Sequence, residues 1–539
     1  MSTRETLTGF VPWPSEFEER YRRAGYWNGR PLGSLLEAPL KSAPDRIAVV
    51  SEARRVSYRE LDERANRRAA GLLKLGIGPR DRVVVQLPNC LEFVELCLAL
   101  FRIGAIPVMA LPGHRRDELS YVCQHTEAVA YVAEDVHAKF DFRTLARDLL
   151  ADAKGSLRHA ILVGDAEELT PFSLLDADPV ELPTVDAAEV ALLQLSGGST
   201  GTPKLIPRTH DDYFYSVRDG ARICGLGPDT VFLVALPAAH NLALSSPGVL
   251  GALYAGSTLV MSRYPMPENV FPLIAEEAVT MLSAVPSLAR IWLSAVTSRG
   301  VSLPSLKVIQ VGGAKCDPAL AEELAQGLAC RVQQVFGMAE GLVSYTALDD
   351  PPERAFFTQG RPLSEDDELR IVDDSGVDVT PGEVGNLLTR GPYTIRGYYK
   401  AEAANRDAFT EDGFYRTGDL VRRTEDGYLV ALGRSKDIIN RAGEKVSPAE
   451  IEQLLLTHPS VHEAAVVGVP DRQLGERSFA FVVAAPNSAL SRSALHNHLR
   501  GAGIATYKLP DRIELLESLP KTSSWKTDKR ELARRFKPA

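Results

Sequence analysis

Residues 195–204 read Leu-Ser-Gly-Gly-Ser-Thr-Gly-Thr-Pro-Lys. Ser196, Gly197, Gly198, Ser199, Thr200, Gly201, Thr202 and Lys204 place glycines, hydroxyls and a lysine side by side. Glycine lets the backbone turn sharply, and the N–H and hydroxyl groups then exposed can donate to phosphate oxygens. A flexible surface turn is the alternative for a Gly/Ser run on its own. The apolar run at 190–195 and the lysine favour phosphate. The loop is not a Walker A loop, which needs G-x-x-x-x-G-K-[ST]. Here Pro203 separates Gly201-Thr202 from Lys204, and a P-loop phosphotransferase is excluded.

Such a loop needs a strand to launch it and a layered scaffold to hold it. Ser57 and Glu60 form a capping-box pattern ahead of Leu61, Ala65, Leu72 and Leu73, which predicts a helix ended by Gly76 and Gly78. Strands are expected at 82–87, 106–111, 231–236 and 307–311, and a helix at 92–103. Asp317-Pro318 is the expected N-cap and first position of a helix ending near Leu328. The alternation predicts an α/β fold with layered, mainly parallel sheets. After about residue 360, turns such as Asp373-Asp374-Ser375-Gly376 and Glu425-Asp426-Gly427 become dense, and a small antiparallel sheet or barrel is expected. The chain restarts near Gly433. Ser447, Pro448 and Glu450 are expected to cap a helix carrying Ile451, Leu454 and Leu455, with strands following at 461–469 and 478–485. The expected division is a large N-terminal domain, 1–433, and a smaller α+β domain, 434–539.

Composition sets the outer limits. In 539 residues, 45% are hydrophobic and 24% charged, which excludes disorder, collagen and coiled coil and allows a core that can hold a shaped site. The net charge of −9 disfavours sequence-independent nucleic-acid binding. Cys90, Cys97, Cys123, Cys224, Cys316 and Cys330 are scattered without a CxxC pair, which fits reduced thiols in a cytoplasm rather than a disulfide frame or zinc site. The N-terminus lacks the apolar stretch of a signal peptide. Arg102, Gly104 and Pro107 interrupt the apolar run at 96–111, so no membrane span is expected there. His496 and His498, on different faces of an expected helix, read as surface residues.

The stretch LSGGSTGTPKLIPRTH resembles the phosphate-loop signature of the adenylate-forming superfamily. Further signatures follow in order: Phe336-Gly337-Met338-Ala339-Glu340-Gly341, Tyr415-Arg416-Thr417-Gly418-Asp419, Gly433-Arg434-Ser435-Lys436-Asp437 and Pro520-Lys521-Thr522-Ser523-Ser524-Trp525-Lys526. The resemblance spans nearly the whole chain and is nearest to aryl-acid adenylating enzymes of the 2,3-dihydroxybenzoate–AMP ligase type. It rests there on residues 9–14 (GFVPWP), Ala239-His240-Asn241 and Ser245-Ser246-Pro247-Gly248.

That resemblance implies a carboxylate attacking the α-phosphorus of ATP, with Mg²⁺ as cofactor and pyrophosphate leaving. Two anions must meet, so cations and donors have to gather where charge builds. The resemblance assigns the β- and γ-phosphates to the loop, Mg²⁺ to Glu340, the ribose to Asp419 with Arg434 in support, and the adenine slot to Gly313, Ala314 and Val335. His240 and Lys526 are implied catalytic residues. Lys526 bridges the attacking carboxylate and the α-phosphate, and Lys436 marks the hinge of a mobile C-terminal domain. A thiol then displaces AMP. With the chain ending soon after Lys526, an aryl carrier protein is expected in trans, or CoA as the alternative acceptor.

For the acid, the resemblance points to Asn241, Leu242, Ser246 and Val343, with Gly197 and Val335 near the ring. An amide at 241 cannot neutralise a buried ammonium, which favours an acid without an α-amine. Asn241 is expected to meet an ortho substituent and Ser246 a meta one. Leu242 stands where this subgroup usually carries an aromatic residue, and Trp525 where the family usually has glycine. Salicylate, other substituted benzoates, hydroxypicolinate and bicyclic aryl acids are all compatible with Leu242.

Overall fold

The computed structural model describes residues 6–152, 155–196, 203–441, 444–471, 473–486, 488–502 and 504–535. The capping box forms as expected. Ser57 Oγ accepts the Glu60 N–H at 3.2 Å, the Glu60 carboxylate accepts the Ser57 N–H at 2.8 Å, and the helix Tyr58–Lys74 begins there. Asp317 likewise caps Pro318–Gly327 through the Ala319 N–H.

Two large sheets pack around a shared core. One has nine strands, ordered Arg361–Pro362, Val343–Tyr345, Arg331–Gly337, Val308–Gly312, Met281–Ala284, Val231–Val234, Thr258–Met261, Ile47–Ser51 and Arg54–Ser57. Its interior pairings are parallel, and only the pairings toward its edges are antiparallel. The other has seven, ordered Leu205–Thr209, Val190–Leu195, Ile106–Met109, Arg82–Gln86, Ala130–Glu134, His159–Val163 and Thr170–Pro171. The strands Arg82–Gln86 and Ile106–Met109 and the helix Leu91–Ile103 are buried almost throughout, the mark of elements covered on every side. Ligands of such sheets bind beyond the carboxyl ends of the parallel strands.

The turn-rich region forms a four-stranded antiparallel sheet, Glu368–Val372, Val384–Arg390, Tyr415–Arg423 and Leu429–Arg434. A further sheet contains Ile439–Arg441, Glu444–Val446, Val461–Asp471, Gly475–Ala484 and Arg512–Leu516. Alternate residues of its long hairpin feed two cores: Val466, Ala480 and Val482 on one face, Ala465, Val467, Phe479 and Phe481 on the other.

Two local expectations change. The helix Pro448–Leu456 starts at Ser447 without a side-chain cap, and the Glu450 carboxylate, expected to complete a capping pattern, accepts Lys508 Nζ at 2.7 and 2.8 Å. His498 is not simply a surface residue. It packs edge-on against His458, and its Nε2 lies 2.9 Å from Thr457 Oγ1 and 3.0 Å from the Leu454 carbonyl. All six cysteines are buried and free. Among the described residues, no helix is long and apolar enough to cross a membrane.

Candidate active site

The turn after strand Val231–Val234 carries the first group of side chains. Buried Asn89 pins it: its Nδ2 donates to the carbonyls of Leu236 and Ser262, both at 2.9 Å, and its Oδ1 accepts the Ala238 N–H at 2.8 Å. His240 then caps the short helix Asn241–Ser245, its Nδ1 accepting the Leu242 N–H at 3.3 Å. That leaves the proton of the neutral ring on Nε2. Burial, and then the charge of Lys526, push the imidazole down to about 3.

The helix that His240 caps carries Asn241 and Leu242. Asn241 Oδ1 accepts Tyr213 Oη–H at 2.8 Å and Ser245 Oγ–H at 3.3 Å. Leu242 is buried, with its Cδ1 3.5 Å from where a side chain on Gly312 would begin. Val335 pairs with Tyr345 and Gly337 with Val343 across the antiparallel edge, so Val335, Val343 and Tyr345 share one face. Ser246 and Tyr345 are both buried here, and burial pushes the Tyr345 phenol well up.

The carboxylates stand on the other side of the cleft. Glu340 follows strand Arg331–Gly337, and its Oε1 accepts Tyr398 Oη–H at 2.9 Å. Tyr398 in turn lies 3.0 Å from Tyr415 Oη, and Lys204 Nζ sits 4.7 Å over the Tyr398 ring. Burial first, and then the Glu340 charge, hold the Tyr398 phenol protonated. Asp419 is buried opposite Arg434 in the strand register, and Arg434 Nε donates to its Oδ1 at 3.1 Å. Burial raises the Asp419 pKa despite that cation. Lys436 lies in the turn Ser435–Asp437, its pKa lowered by burial and then by the neighbouring charges of Arg434, Arg530 and Lys204. Lys204 and Ser196 are paired at the adjoining ends of strands Val190–Leu195 and Leu205–Thr209: Lys204 N–H donates to Ser196 Oγ, and Ser196 N–H to the Lys204 carbonyl, both at 2.9 Å.

Lys526 joins the two sides. Its Cε lies 3.2 Å from where a side chain on Gly313 would begin, and Gly313 has φ +76°. A larger residue there would meet both backbone strain and the lysine. Burial, and then Arg434, bring the Lys526 amine down to about 8, while Asp419 and Glu340 pull it back up. The charges of Arg434, Asp419 and Glu340 thus act on the Lys526 amine, and the Lys526 charge acts on His240.

Of the residues singled out in the sequence, His240, Glu340, Asp419, Arg434, Gly313 and Lys526 converge on one cleft. Asn241, Leu242, Ser246, Val335 and Val343 converge on the slot beside it. Ala314 follows Gly313 but is exposed. Gly197, Gly198, Ser199, Thr200, Gly201 and Thr202 lie outside the described residues. Sequence reasoning passed over Asn89, Tyr213, Tyr345 and Tyr398. Tyr213 lies in the first turns of the helix His210–Ile223, whose Thr209–Asp212 capping box follows directly on the recognised loop, and that was the available signal.

A large domain of layered, mainly parallel sheets followed by a smaller α+β domain is the fold of an AMP-binding enzyme. Residues 36–399 match the AMP-binding enzyme family, and residues 450–526 match the AMP-binding enzyme C-terminal domain. The chain belongs to this family. A 2,3-dihydroxybenzoate-AMP ligase of Bacillus subtilis is 54% identical over 527 residues, which cover 98% of this chain and 97% of that protein. A salicyl-AMP ligase / salicyl-S-ArCP synthetase of Mycobacterium tuberculosis is 46% identical over 538 residues, covering 98% and 95%. The apo structure of MbtA from Mycobacterium smegmatis shares the fold at a TM-score of 0.77 and 47% identity, covering 98% of this chain and 99% of that one.

Proposed function

We propose that this chain activates an aryl carboxylic acid with ATP. The carboxylate oxygen bonds to the α-phosphorus, the bond to pyrophosphate breaks, and aryl-AMP forms. The thiol of a phosphopantetheine arm, on a carrier protein supplied in trans, then attacks the acyl carbon and AMP leaves. The observation that carries the reading is Lys526, which is packed 3.2 Å from where a side chain on Gly313 would begin and whose amine is under the influence of the charges of Arg434, Asp419 and Glu340. A cation at that point bridges two reactants that repel each other.

The remaining roles follow from the chemistry of each group. Asp419 accepts both ribose hydroxyls, a task suited to a carboxylate with several lone pairs. Arg434 opposes the burial that raises the pKa of that carboxylate. Lys204 and the loop residues before it take the outer phosphates, and Gly313, Ala314 and Val335 admit the adenine. Neutral His240 offers Nε2–H to the acid's carboxylate. The slot of Asn241, Leu242, Ser246 and Val343 takes the ring, and nothing in it matches an α-ammonium.

Mg²⁺ fits the donor set: Glu340 is a hard, buried carboxylate, and such an ion usually binds one or two carboxylates together with substrate phosphates. Bound there, it would neutralise phosphate charge. Lys436 is the hinge, and the two domains divide at Gly433.

The test is carboxylate-dependent pyrophosphate exchange across benzoic, picolinic, naphthoic and amino acids. Exchange with ring-bearing acids and none with α-amino acids is the expected result; no exchange with any ring-bearing acid refutes the reading. Thioester yield with carrier protein against free CoA then decides the acceptor.

A further inference from the structure

The turn that presents Lys526 holds a tryptophan where its backbone favours glycine. Trp525 has φ +63°, in the left-handed region that bulky side chains seldom adopt. The turn closes on itself: Trp525 N–H donates to the Thr522 carbonyl at 2.9 Å, Thr522 N–H to the Lys526 carbonyl at 2.8 Å, and Lys526 N–H to Thr522 Oγ1 at 3.2 Å. Nothing in that loop itself requires an indole.

The large domain supplies the reason. Ser287 Oγ–H donates to the Trp525 carbonyl at 2.6 Å. The half-buried Trp525 ring packs against the large domain's main hydrophobic core. Ser287 lies in the first turn of the helix Pro286–Arg299. Val285, the N-cap residue of that helix, lies 3.2 Å from where a side chain on Gly313 would begin, as Lys526 Cε also does. The segment that receives Trp525 therefore also frames the floor beneath Lys526. Strained backbone persists where surrounding contacts over-determine it, and such positions cluster at functional sites.

We infer that Trp525 is a positioning residue: docked on Ser287 and the large-domain core, it fixes the direction of Lys526 into the cleft for adenylate formation. This deepens the adenylation reading and rests on it. With carbonyl and ring of residue 525 both held by the large domain, the next side chain has little freedom to leave. A glycine at 525 would relieve the backbone but release the anchor.

The experiment compares Trp525→Gly, Trp525→Phe and Ser287→Ala with the unmodified full chain. In Trp525→Gly, kcat for pyrophosphate exchange should fall about 100-fold, the scale of a misplaced reacting group, with KM for ATP little changed. Thioester formation from supplied aryl-AMP should not fall in parallel. The alkaline limb of exchange should move upward as Lys526 gains water and its relation to Arg434, Asp419, Glu340 and His240 loosens. Trp525→Phe should restore most of the rate, and Ser287→Ala should give an intermediate loss. Trypsin cleavage after Lys526, followed by peptide mass, should quicken in Trp525→Gly. This arm reads the docking even if the wild-type chain forms no aryl-AMP, so failure of the functional reading is separable. Wild-type exchange with an unmoved pH limb in Trp525→Gly, equal loss in both half-reactions, or unchanged trypsin cleavage would overturn the inference.

Discussion

Tyr213 Oη donates to Asn241 Oδ1 at 2.8 Å, and Ser245 Oγ also lies 3.3 Å from that oxygen. The amide carbonyl is thereby occupied by the protein, and in the proposed adenylation Nδ2 is the group that donates to the acid. Tyr213→Phe keeps the ring in its buried place and removes that constraint, so the amide can rotate. The ratio of kcat/KM for salicylate to that for benzoate should fall about tenfold, one hydrogen bond's worth. Pyrophosphate exchange with the two acids measures it, and an unchanged ratio would show that Tyr213 does not orient Asn241.

Lys526 gives the enzyme a pH signature. Its amine, brought down to about 8, is protonated below that pH and loses its proton as pH rises through it. The kcat/KM for exchange, which reports groups of the free enzyme, should therefore fall on the alkaline side near pH 8. His240, held near 3, stays neutral and contributes no acid limb between pH 5 and 8. Lys526→Ala should slow exchange by about 100-fold or more while nucleotide binding by calorimetry persists. Near-normal exchange in that variant would remove Lys526 from the chemistry.

A buried ion pair braces the carboxylate side. Arg208 and Asp212 are both almost fully inaccessible; Arg208 Nε donates to Asp212 Oδ1 at 2.6 Å and its Nη1 to the Ala339 carbonyl at 2.9 Å. The guanidinium thus ties the helix His210–Ile223 to the backbone just before Glu340. Arg208→Met leaves Asp212 buried and uncompensated, at a cost of about 3–5 kcal/mol. Chemical denaturation should show that loss, and the double variant Arg208→Met/Asp212→Asn, which removes the charge and keeps an acceptor for the Thr209 N–H, should recover part of it. A single variant as stable as wild type would contradict the bracing role.

Most of the scaffold was legible because it is written in local signals. The capping box at Ser57, the Asp317-Pro318 start and the apolar runs of parallel strands each depend on a few neighbouring residues. The motif residues were legible one by one, and the charges of Glu340, Asp419 and Lys526 act on one another in the folded chain. What the sequence hid is long-range. Asn89 reaches the turn at 236–238 from a distant element, and Ser287 meets Trp525 across 238 positions. Glu450 shows the converse: a capping pattern was present, but Lys508 took the carboxylate. No spacing rule encodes such partners, because folding rather than sequence proximity brings them together.

Leu242 tests how far one side chain sets the choice of acid. It is buried beside Gly312 and shares the slot with Val335 and Val343, while the neighbouring Asn241 faces the polar side through Tyr213. Leucine is smaller than tyrosine and is packed here in the main core. Leu242→Tyr inserts a ring, and the extra volume must be taken either from the acid's room or from the core. Taken from the acid's room, it should lower kcat/KM for bicyclic acids about tenfold more than for salicylate, while the thermal midpoint hardly moves. Taken from the core, overpacking should cost about 1–3 kcal/mol and slow all acids alike. Exchange kinetics on a ranked series of acids, with calorimetry on the same variant, separates the two. A specificity profile that keeps its shape would assign Leu242 to packing alone and leave the discrimination to Asn241 and Ser246.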